Sequence, residues 1–182
     1  PKSFSGRRHL IRARIARPEE VAARRNLAFN PYDRHGDTGI YPHARANVET
    51  RGEAVFAAYN AIDGIYENGS HGEWPYQSWG INRDPNAEWT LSFGRPVGID
   101  ELRLTLRADF PHDSWWESAV VAFSDGSEET LELKKESHPQ AFDIKARTVE
   151  WLTLRHLKKV DDPSPFPALT QFEAWGTEAA EQ

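Results

Sequence analysis

Along most of this chain apolar and polar residues alternate with a period of two, the signature of short strands that bury one face. "EWTLSFG" (88–94) puts Trp89, Leu91 and Phe93 on one side. "IDELRLTLRADF" (99–110) puts Leu102, Leu104 and Leu106 on one side, with Arg103, Thr105 and Arg107 on the other. "AVVAFSDGSEETLEL" (119–133) alternates on both sides of Asp125-Gly126, a pair able to take the positive φ of a tight hairpin. "VEWLTLRHL" and "LTQFEAWG" add two strands towards the C-terminus. Helical periodicity is confined to "RPEEVAARR" (17–25). There Pro18 suits the first helical position and Glu19 and Glu20 the positive end, with Arg24 and Arg25 at the negative end. Ahead of it, "LIRARIAR" alternates Ile11, Ala13 and Ile15 with arginines and predicts one more strand. Closely spaced short strands with almost no helix predict an all-β antiparallel β-sandwich or jelly roll.

Charge divides the chain. Residues 1–25 carry Lys2 and seven arginines against two glutamates, a net +6, and the remaining residues carry −12. We therefore expect a basic N-terminal arm (1–25), a β-sandwich (26–177) and a flexible tail (178–182). The acidic body argues against the cation clusters that nucleic-acid binding requires. The apolar alternation within the arm needs a cover, which the body or a second copy in a homo-oligomer would supply. With no cysteine, disulfides, thiolate metal sites and thiol nucleophiles are excluded. No apolar run approaches the roughly 20 residues of a membrane-spanning helix, so no membrane partner is expected. A start methionine removed before Pro1 would imply a cytoplasmic protein; a fragment of a larger secreted protein would imply an extracellular one. Seven tryptophans are more than one core of this size needs, leaving some for a surface.

Several landmarks, taken in order, resemble the discoidin-like family, the coagulation-factor type C or galactose-binding-like domains. These are "NLAFNP" (26–31), "AYNAIDG" (58–64), the tryptophan loop "HGEWPYQSWGI", "WTLSFGRPVGIDELRL", the "SDG" hairpin and the closing "LTQFEAWG". The resemblance covers about residues 26–177 and implies a discoidin-like jelly roll. Many such domains are carbohydrate-binding modules, while others bind lipid or protein. It also implies a structural calcium beside the aspartate–glycine turn. Asp63 matches the turn aspartate, and backbone carbonyls from Asn60 onward supply oxygens of the kind Ca²⁺ prefers. Gln171 stands where the family places a glutamate, with Glu173 two residues on. The alternative is Asp63 as a plain turn former.

The same resemblance places the ligand among loops at one end of the sandwich, and three loops are rich in suitable chemistry: 33–43, 71–84 and 107–116. A sugar needs a ring against which its C–H face can stack, and polar groups that satisfy neighbouring hydroxyls. Trp74, Trp79, Trp115 and Trp116 supply rings; His35, Asp37, His71, Asn82, Arg107, Asp109 and His112 supply the polar groups. Of the adjacent Trp115 and Trp116, one faces the core, since neighbours on a strand point to opposite sides. The reading is a non-catalytic module whose partner is an oligosaccharide or polysaccharide. Two alternatives stand beside it. The histidine–carboxylate spacings (His35-x-Asp37, His71-x-Glu73, Asp109-x-x-His112) could build a metal or acid–base site of a carbohydrate-active lyase or hydrolase. An oligomerising interaction module would instead use the arm.

Overall fold

A computed structural model of the chain describes residues 7–36, 39–70, 72–108 and 114–179. After a one-turn helix α1 (Pro18–Ala22), the chain forms strands β1 (Arg25–Asn26), β2 (His43–Ala46), β3 (Trp79–Gly80) and β4 (Trp89–Leu106). Then come β5 (Trp116–Phe123), β6 (Glu128–Glu132), β7 (Gln140–Lys159) and β8 (Ala168–Glu178), every pairing antiparallel. Three 3-10 turns, Thr50–Gly52, Ala54–Phe56 and Ala58–Ile62, bridge β2 and β3.

Two long strands run through both layers of the sandwich. The first part of β4, Trp89–Ser92, pairs with β2 and with residues 151–154 of β7, which continue to β5 and β6. Its second part, Val97–Leu106, pairs with β8 and with residues 140–149 of β7. Register shifts between Ser92 and Val97, and between Ile99 and Glu101, mark where β4 changes layer, since an extra residue bends a strand and increases its twist. The two strands expected at 88–94 and 99–110 are therefore one bent strand. The core lies between the layers: Trp89, Leu91, Phe93, Leu102, Leu104 and Leu106 are all buried, as their alternation requires. The hairpin at Asp125-Gly126 forms with Gly126 at φ +85, and the Asp125 carboxylate accepts a hydrogen bond from the Ser127 N–H at 2.9 Å.

Near the N-terminus the structure departs from the sequence pattern. Residues 8–17 form no strand, and Leu10, Ile11 and Ile15 are exposed, Ile15 by 93%. Alternation predicts a strand only where a neighbouring edge is available for pairing. The expected boundary after residue 25 falls inside β1, where Arg25 pairs with Gly176 and Asn26 with Trp175. Arg24 binds Asp100 and Glu101 at 2.8 and 2.6 Å, while Arg25 pairs with Glu178. The basic segment thus meets the acidic body through its last residues. Glu178, expected in the tail, ends β8 and accepts hydrogen bonds from Arg95.

A candidate ligand cleft beside Arg107

The second face of β4, which the pattern assigns to solvent, is largely covered. Thr105 is buried and Arg107 is only 4% exposed, its N–H bonded to the Ala168 carbonyl at 2.9 Å. The expectation of a surface arginine is corrected here: the 3-10 turns and the chain entering β8 close over this end of the sheet. What remains open is a cleft of about 140 Å³ between Thr50, Arg51 and Phe56 on one side and Phe166 to Ala168 on the other, with Gly80 to Asn82 and Arg107 completing its wall.

Backbone geometry draws these segments together. Gly80 lies against the Thr50 side chain so closely that a Cβ there would fall 2.6 Å from Oγ1. The same Oγ1 accepts a hydrogen bond from the Asn82 N–H at 3.0 Å. Among the described residues, non-glycine residues with positive φ are Arg51, Asn82, Arg83 and His156. Arg51 and Asn82 line the cleft, and Arg83 places its guanidinium 4.6 Å from the Phe166 ring centre. Holding an arginine left-handed costs about 1–2 kcal/mol, whereas asparagine enters this region more readily, and such strain gathers at functional sites. Arg51 also packs over Phe56 at 5.4 Å and is hydrogen-bonded to Glu53. That bond holds the Glu53 carboxyl below its ordinary range.

The residues expected at the site separate into groups. Arg107 and Asn82 come together at this cleft. Trp79 and Trp116 are both 0% exposed in the core, so neither ring can meet a ligand; Trp79 donates its indole N–H to the Val48 carbonyl at 2.9 Å. Trp115 is half-buried and packs against the core from its edge. Trp74, 59% exposed, lines a separate, wider cleft with Asn30, Asp33 and Tyr59. His35 stands near that second cleft: its Nε2 is 2.6 Å from Glu49 and its ring meets Tyr59 edge-on at 5.1 Å. Asp37, His71, Asp109 and His112 lie outside the described residues. Among the described residues no group of three histidines or carboxylates gathers around a metal position.

Sequence reasoning missed Thr50, Arg51, Phe56 and Phe166. The signal for Phe166 was present: in "PSPFP" prolines bracket a single aromatic, which fixes a ring on a stiff loop. Nothing in the local pattern marks Thr50 and Arg51, whose position depends on a turn with Arg51 at φ 54.

The turn at Asp63 is the place where the resemblance implies a structural calcium. The main-chain oxygens of Asn60 and Ile65 and a carboxylate oxygen of Asp63 converge, a donor set suited to a hard cation. The centre, however, is filled by the side-chain nitrogen of Gln171, so as they stand these residues do not fit an ion. The Asn60 side chain turns away, donating to the Ala54 carbonyl at 2.9 Å. Glu173 is committed elsewhere, accepting from Tyr66 Oη at 2.8 Å and from Trp175 Nε1 at 2.7 Å.

Solved structures share this architecture. A chitosan-binding module from a chitosanase/glucanase of Paenibacillus sp. IK-5 superposes with a TM-score of 0.57 at 18% identity, over 84% of this chain and 99% of that one. A Streptococcus pneumoniae fucose-binding module gives 0.59 at 14%, over 85% and 99%. The family 32 carbohydrate-binding module of C. perfringens NanJ, solved with galactose, gives 0.54 at 14%, over 72% and 91%. The fold is discoidin-like. No family model matches the sequence, and no curated protein does. At such low identity the likeness carries the discoidin-like scaffold and not its ligand.

Proposed function

We propose that this discoidin-like domain is a non-catalytic carbohydrate-binding module that holds one sugar ring of a glycan in the Arg107 cleft. The observation that carries the reading is the gathering of left-handed Arg51 and Asn82 around a wall containing a buried guanidinium. A desolvated, planar donor with several N–H groups suits the paired hydroxyls of a sugar, and Phe166 offers apolar surface beside it. At about 140 Å³ the cleft is smaller than the roughly 300–1,000 Å³ typical of drug-sized ligand pockets, which favours a single ring with the rest of the chain outside. Modules that share the fold bind chitosan, galactose and fucose, which supports a sugar as the ligand class proposed for this cleft.

A glycan array on the isolated protein tests this. Binding to a defined set of glycans that Phe166→Ala abolishes supports it. An array without hits, or hits that Phe166→Ala leaves intact while Trp74→Ala removes them, contradicts it. Self-association through the arm belongs to the same proposal, supported by the exposed Leu10, Ile11 and Ile15.

A further inference from the structure

The side-chain amide of Gln171, buried on β8, sits at the centre of the "AYNAIDG" turn. Its Nε2 lies 2.7 Å from the Thr170 carbonyl, 2.8 Å from the Asn60 carbonyl, 2.9 Å from Asp63 Oδ1 and 3.1 Å from the Ile65 carbonyl. Its Oε1 accepts a hydrogen bond from the Gly64 N–H at 2.9 Å. The surroundings fix the amide's orientation: turned over, its oxygen would face four oxygens and its NH₂ would face an N–H. The separations are those of hydrogen bonds and exceed the 2.3–2.6 Å of calcium–oxygen contacts. Asp63 Oδ1 also accepts the Ile65 N–H at 2.8 Å, so the carboxylate is doubly held.

We propose that the Gln171 carboxamide does in this chain the structural work of a bound calcium, so that the turn is built and kept without a cation. The amide brings two N–H donors to a cage of oxygens that would otherwise repel one another, and its own oxygen closes the loop at Gly64. A glutamate at this position would present only acceptors. It would face Asp63 and three carbonyls with no proton between them, the situation in which a divalent cation becomes necessary.

The test compares wild type with Q171E, in EDTA and in millimolar calcium, by thermal melting and by calorimetric titration with CaCl₂. Wild type is expected to melt at the same temperature in both and to give no calcium heat. Q171E is expected to melt lower than wild type in EDTA and to recover with calcium but not with equal magnesium. A saturable, calcium-dependent rise in wild-type Tm overturns the proposal, as does a Q171E melt indifferent to calcium. Should Q171E not fold, the wild-type titration decides alone.

Discussion

Trp116 packs against Trp79 in the core, their ring centroids 6.2 Å apart and tilted by 36°, with both side chains fully excluded from water. This pair decides the roles of the adjacent tryptophans: β5 begins by turning Trp116 inward, leaving Trp115 at the edge.

The two should therefore separate on truncation. Trp116→Ala removes a fully buried aromatic and is expected to cost about 3–5 kcal/mol of stability. Trp115→Ala, losing a half-buried ring, should cost about 1.5 kcal/mol. Denaturant unfolding of both variants checks this; equal losses would contradict the assignment.

The N-terminal segment should divide between Arg17 and Arg24. Removing residues 1–16 takes, among the described residues, only the exposed stretch 7–16 and is expected to leave the Tm unchanged. Removing residues 1–26 also takes β1 and the ion pairs of Arg24 and Arg25, and should lower it. Arg24→Ala alone should cost no more than about 1 kcal/mol, because its guanidinium is partly solvated although it also lies 5.6 Å from the Trp175 ring centre. Sedimentation of the 1–16 deletion reads self-association at the same time: a fall in mass supports pairing through the arm, and an unchanged mass contradicts it.

Glu101 links acid sensitivity to the same region. Hydrogen bonds from Arg103 and then Arg24 hold its carboxyl below the ordinary 4.5. A lowered folded value stabilises the protein above the unfolded pKa, and the contribution disappears as pH falls through the folded value. Wild type should thus exceed Glu101→Gln in Tm at neutral pH, and the two should converge under acid. A gap independent of pH would assign the loss to packing instead.

Much of the sandwich was legible because one-sided burial writes itself as alternation. Trp89, Leu91, Phe93 and the leucines of β4 obey it, and the Asp125-Gly126 hairpin stands where turn chemistry puts it. The alternation of Ile11, Ala13 and Ile15 misled because periodicity reports a face and not the partner that covers it. The site was less legible. Arg107 and Asn82 were singled out by residue type and line one cleft, but the burial of Arg107 arises from turns distant in sequence. Phe166 and Arg51 enter the cleft through loop geometry that carries no period. Gln171 reads as a weaker calcium ligand until its nitrogen is seen facing the oxygens.

The placement of the sugar is tested most directly by NMR titration of the ¹⁵N-labelled domain with a glycan identified on the array. We predict saturable shifts concentrated on the amides of Thr50, Arg51, Asn82 and Ala168, lost in Phe166→Ala. Shifts centred on Trp74 and Tyr59, with those four amides unmoved, would contradict the assignment of the Arg107 cleft as the binding site.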